Sequence, residues 1–153
     1  MATNSLTALI TGGTSGIGRA TAKRLAKLGI HVLVVGRNAK RGDETLAEIR
    51  AAGGKADFIS SDLRNASSAR EVAKRALELG DGHVDILINN AGVFPFGPTD
   101  KTTEEEFDRV YSLNALVDWL IEKNKSGYQF FIARSPALLY PLWILEPPLR
   151  RYG

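Results

Sequence analysis

The 153-residue chain has no cysteine, which excludes disulfides, thiolate metal sites and a cysteine nucleophile. Histidine is nearly as scarce. His31 and His83 stand far apart in sequence, so no metal centre is expected on them. Long apolar runs are also missing. The longest, Ala137 to Leu145, is broken by Pro141 and is too short to span a bilayer. The N-terminal Met1-Ala2-Thr3-Asn4-Ser5 has no basic stretch leading into an apolar one, so a cytoplasmic location is the expectation. Lys and Arg exceed Asp and Glu by only 20 to 17, and no basic block concentrates the excess. That dispersal argues against nucleic acid as a partner. Internal repeats and low-complexity segments are absent as well.

What the chain does have is an ordinary globular composition, 44% hydrophobic and 24% charged, arranged around one glycine-rich stretch. Thr11-Gly12-Gly13-Thr14-Ser15-Gly16-Ile17-Gly18 follows a short apolar strand, Ser5 to Ile10, and precedes a helix read from Arg19 to Leu28. Glycines let a backbone turn tightly and approach an anion closely, and the unpaired N–H groups of a helix's first turn point at it. The spacing Gly12-x-x-x-Gly16-x-Gly18 is not the usual dinucleotide fingerprint, but the strand–turn–helix setting is the required one. A purely structural turn is the competing reading.

The pattern then alternates. After Gly29 the run Ile30 to Val35 suits a strand buried on both faces. A helix is expected from Ala39 to Ala52, a strand from Ala56 to Ser60, and a helix from Ser67 to Leu79. Val84 to Ile88 forms a fourth strand that delivers Asn89-Asn90-Ala91-Gly92 at its C-terminal end. Alternation of this kind predicts an α/β fold with a parallel sheet and right-handed crossovers. Beyond a proline-containing loop, Thr103-x-x-Glu106 is a capping box. The acidic run Glu104 to Glu106 complements the dipole of the helix it opens and needs no ligand. Along that helix Asn114 falls on the apolar stripe of Phe107, Val110, Val117 and Ile121. Read from the residues alone, it is a core amide pinning nearby backbone.

Taken in order, the glycine turn, Asp62-Leu63, Asn89-Asn90-Ala91-Gly92 and Asn114 within Tyr111-Ser112-Leu113-Asn114-Ala115 resemble the short-chain dehydrogenase/reductase family. The likeness runs from Met1 to about Ala115 and divides the chain into a 1–115 dinucleotide-binding portion and a divergent 116–153 tail. It implies a Rossmann-like, doubly wound sheet of order 3-2-1-4 that binds NAD(P) across the C-terminal ends of its strands. It implies that Gly12, Thr14, Ser15, Gly16, Ile17 and Gly18 hold the pyrophosphate and that Asp62 and Leu63 flank the adenine. Asn89, Ala91 and Gly92 would line the nicotinamide-side ribose, and Asn114 would belong to the Asn-Ser-Tyr-Lys tetrad. Arg37 ends the second strand where NAD-specific proteins carry an acidic residue. It cannot accept bonds from ribose hydroxyls, but its planar fork suits a 2′-phosphate. The expected cofactor is therefore NADP(H), with NAD(H) the alternative and a solvated turn arginine the plain reading.

The family's Tyr-x-x-x-Lys does not occur: Tyr111, Tyr128 and Tyr140 are followed four positions later by Ala115, Ile132 and Ile144. Gly127 to Ala133 has the composition of a fifth strand, near 128–133, with Ser135 close to where the family's serine would fall. The composition changes abruptly after Ala115, as a truncated, frame-shifted or alternatively spliced reductase would produce. On this reading the fourth strand lacks its usual neighbour and leaves an open edge. Two functions stay open: an oxidoreductase moving hydride between NADP(H) and a carbonyl or alcohol, and a non-catalytic nucleotide-binding or interaction module.

Overall fold

The computed structural model describes residues 6–63, 66–92, 103–104 and 132–134. Among them, β1 is Thr7–Thr11, α1 Gly16–Lys27, β2 His31–Gly36 and α2 Ala39–Ala51. They continue with β3 Ala56–Ser60, α3 Ala66–Leu79, β4 Ile86–Asn89 and β5 Ile132–Arg134. The sheet order is β3-β2-β1-β4-β5, and every pairing is parallel.

β1 is central and all five of its residues are buried, as a strand covered on both faces must be. Alternate side chains go to opposite faces. Leu9, Leu33, Val35, Ile59 and Leu87 meet Ala69, Val72, Ala73 and Ala76 of α3 on one face. Ile10, Val32, Val34 and Ala56 meet Ala22, Ala26, Leu46 and Ile49 of α1 and α2 on the other. The fold is thus a three-layer α/β sandwich of Rossmann type. No helix among the described residues is long and apolar enough to cross a membrane.

Several boundaries differ from the sequence expectation for local reasons. α1 begins at Gly16, not Arg19, because the last glycines of the turn already form the first helical turn. It stops where Gly29, at φ +82°, donates its N–H to the Ala26 carbonyl and the Ile30 N–H returns to Leu25. β4 starts at Ile86, and Asp85 just before it also reaches β1: its N–H donates to the Thr7 carbonyl at 2.9 Å and its carboxylate accepts from the Thr7 N–H at 2.7 Å. On the helical face, Glu48 of α2 takes both Arg19 and Lys23 of α1 as ion-pair partners.

The open edge expected at β4 is not there. Residues 132–134 form β5 against it, with Leu87, Ile88 and Asn89 in register with Ile132, Ala133 and Arg134. The fifth strand therefore exists, and its described part lies at the C-terminal end of the 127–133 stretch and just past it. That pairing gives the outward backbone groups of β4 hydrogen-bond partners.

Candidate functional site

The three helices start at the carboxyl ends of the strands that precede them, and there the sheet opens into a cleft of about 540 Å³. Its floor is the glycine turn, contributing Gly12, Thr14, Ser15, Gly16 and Ile17. One wall comes from the end of β2 and the start of α2, with Val35, Gly36, Arg37, Asn38 and Arg41. Ser61, Asp62 and Leu63 follow β3, and Asn90, Ala91 and Gly92 follow β4. The residues past β1 and β4 meet where the strands stop pairing, the position at which an open α/β sheet offers a crevice.

The turn has the geometry of an anion cradle. Gly12 adopts φ +64°, and a Cβ there would meet the Ala91 backbone at 3.0 Å. Ser15 flanks α1 in an extended conformation and makes no capping hydrogen bond with its side chain. The first-turn N–H groups of α1 have no intrahelical acceptor and so keep their donors for something in the cleft. Ile17 is 72% exposed, an apolar side chain held out over the same opening.

Thr11 joins the floor to the wall. Its hydroxyl donates to the Ile88 carbonyl at 3.4 Å and accepts from the N–H groups of Asn90 and Ala91 at 3.1 and 3.0 Å. The Asn90 amide completes the seam, its Nδ2 donating to the carbonyls of Thr11 and Gly12 at 3.2 and 3.1 Å. Beyond its last ladder pair, Thr11 with Asn89, the sheet is therefore continued by side chains.

At the other end the cleft is cationic. Arg37 and Arg41 line it, and among the described residues neither makes an ion pair. Asn38 sets the entry to α2: its side chain accepts from the Arg41 N–H at 3.0 Å, the normal N-cap bond. That bond fixes the turn on which both guanidinium groups are mounted.

Ten of the candidate residues thus share one cleft: Gly12, Thr14, Ser15, Gly16, Ile17, Arg37, Asp62, Leu63, Ala91 and Gly92. Gly18 and Asn89 do not line it. Gly18 lies beneath, where a Cβ would overlap the Asn90 amide and sit 2.5 Å from the Gly12 carbonyl oxygen. Asn89 is buried at the end of β4, and neither amide atom has a hydrogen-bond partner among the described residues. Asn90, Asn38, Arg41 and Ser61 were not among the candidates. Strand alternation was the available signal for Asn90, since neighbours in a strand face opposite ways and only one of the pair can reach the turn. Asn114 and Ser135 lie outside the described residues.

The sequence profile of the short chain dehydrogenases matches residues 6–117, and the chain belongs to that family. An uncharacterized oxidoreductase of Thermotoga maritima is 38% identical over 115 residues, covering 75% of this chain and 45% of that protein. The crystal structure of a metagenomic short-chain oxidoreductase in complex with NADP superposes with a TM-score of 0.69 at 31% identity. The match covers 77% of this chain and 56% of that one. An NADH-dependent reductase complexed with NAD gives a TM-score of 0.69 at 29% identity, covering 78% of this chain and 52% of its own. This chain spans less than half the length of the curated relatives it matches.

Proposed function

We propose that this chain is the dinucleotide-binding portion of a short-chain dehydrogenase/reductase and that it takes NADP(H) in preference to NAD(H). The observation that carries the reading is the uncapped start of α1, opening on a cleft whose far end holds Arg37 and Arg41. A pyrophosphate could be held by the first-turn N–H groups, on a floor whose Gly12 packs against the Ala91 backbone with no room for a Cβ. Relatives in complex with either NADP or NAD are consistent with such a ligand. The choice between the two rests on Arg37. A guanidinium provides five donors and no acceptor, so it favours a 2′-phosphate over a pair of ribose hydroxyls. Asp62 and Leu63 would lie beside the adenine, and Asn90, Ala91 and Gly92 along the part of the cofactor that reaches past β4. The cofactor would supply the hydride donor or acceptor; the residues described here bind and orient it.

Competition titrations of the purified chain with both reduced cofactors test this reading. Tighter binding of NADPH, with the preference lost in Arg37→Asp, is the expected result. Equal affinities in the parent would remove the assignment.

A second reading follows from the missing Tyr-x-x-x-Lys. Within these 153 residues no Tyr-x-x-x-Lys occurs to protonate a developing alkoxide, a contribution worth about a hundred- to ten-thousand-fold. Neither Asn114 nor Ser135 is an acid near neutral pH. The 153 residues by themselves are therefore expected to bind cofactor without reducing a carbonyl. The check is NADPH consumption against a broad carbonyl panel. Activity that disappears in Asn114→Ala would show that another group donates the proton.

A further inference from the structure

Among the described residues β3 is the terminal strand on its side of the sheet, and its outward backbone has a specific cover. In the β2–β3 ladder the Val32 N–H donates to the Lys55 carbonyl and the Ser61 N–H to the Gly36 carbonyl, both at 3.0 Å. The odd-numbered residues of β3 therefore bond inward, and Ala56, Phe58 and Ser60 turn their N–H and C=O groups away from the sheet. A row of this kind is a template for another strand.

Arg50, in the last turn of α2, lies across it. Its guanidinium donates to the Ala56 carbonyl at 2.8 Å, and the same nitrogen stands 3.6 Å from Asp57 Oδ1. α2 covers one face of the sheet, whereas Asp57 alternates with Phe58 and so points to the other, the face of Ile59. The arginine thus reaches round the rim from one face to the other. Behind it Asp57 Oδ2 lies 2.7 Å from Nε2 of His31, a buried residue on β2, which holds the carboxylate in place. The pair adds little to stability, because the Arg50 side chain is 57% exposed and water screens it. Its effect is steric and electrostatic: an approaching strand meets a charged fork where it needs a free carbonyl.

We propose that Arg50 is an edge guard that prevents β3 from pairing with β3 of a second copy. A second copy fits because antiparallel pairing about Phe58 brings each outward Ala56 opposite the other chain's Ser60. Those are the groups that the ladder leaves unused, and Arg50 occupies one of them on each chain.

The test compares the parent chain with Arg50→Ala, and with Arg75→Ala as an equal loss of exposed charge. Sedimentation velocity should show Arg50→Ala associating at a concentration lower by about tenfold or more, with Arg75→Ala behaving as the parent. Because the chain has no cysteine, a spin label on Ser60→Cys is unique and should broaden by dipolar coupling when Arg50→Ala associates. Adding Ser60→Pro to Arg50→Ala removes an N–H that the sheet does not use and should restore the parent's behaviour. Equal association of Arg50→Ala and parent would overturn the proposal. So would association without label broadening, or association that Ser60→Pro leaves intact, either of which marks unfolding or another surface.

Discussion

Gly18 lies directly against the Asn90 amide, so close that a Cβ on the first would overlap Nδ2 of the second and crowd the Gly12 carbonyl. The glycine turn and the segment after β4 are therefore one packed unit, and the cleft floor depends on a residue that does not line it. Gly18→Ala is expected to weaken cofactor affinity by about ten- to a hundredfold, the equivalent of 1–3 kcal/mol of overpacking. A titration alongside a melting curve checks it. An unchanged affinity would mean that the floor can shift without consequence.

Thr11 offers a contrast between two substitutions. Thr11→Val keeps the shape but takes away the acceptor of the Ala91 N–H and one of the two acceptors of the Asn90 N–H, which also donates to the Ile88 carbonyl, at a cost of about 1–3 kcal/mol. Thr11→Ser keeps the hydroxyl and should cost clearly less. Denaturant unfolding of the two variants side by side measures the difference.

Arg41 extends the proposed cofactor preference to a residue of α2. Its N–H is held by Asn38 while its side chain faces the cleft, so Arg41→Ala removes charge without removing the cap. NADPH affinity is expected to fall about tenfold, roughly one charge-assisted hydrogen bond, with NADH affinity little changed. Equal losses for both cofactors would place Arg41 away from a 2′-phosphate.

Glu48 gives the fold a modest pH dependence. The Lys23 hydrogen bond holds its carboxyl below the ordinary 4.5, with partial desolvation opposing and the Arg19 charge assisting. A carboxylate lowered in the folded state contributes its stability above the unfolded value and loses it as pH falls through the folded one. Glu48→Gln should therefore melt below the parent at neutral pH. The gap should close as the solution is acidified past 4.5, and shrink in high salt.

The strands and the glycine turn were legible because both are local, while their order came with the family resemblance. Continuous apolar runs such as Ile30 to Val35 announce buried parallel strands, and helices between them leave few topologies. What depended on distant partners was not legible. His31 read as an isolated residue, and only the β2–β3 pairing brings Asp57 to its ring. Arg41 belongs to no motif in the sequence, and its place at the cleft follows from the turn that the Asn38 cap holds. The choice between Asn89 and Asn90 turned on the position at which β4 ends, and single-residue boundaries are what periodicity resolves least well. The fifth strand was expected near 128–133, but nothing local in that stretch showed that it would lie beside β4.

The double duty of Thr11 also narrows the sequences that can adopt this arrangement. As the last residue of a fully buried central strand, position 11 favours branching at Cβ. As the acceptor for two consecutive N–H groups from β4's continuation, it must also present an oxygen on that same carbon. Valine and isoleucine meet the first demand and serine the second. Among the twenty residues only threonine meets both, so a designer could vary most of the surrounding apolar positions but would have almost no freedom at this one.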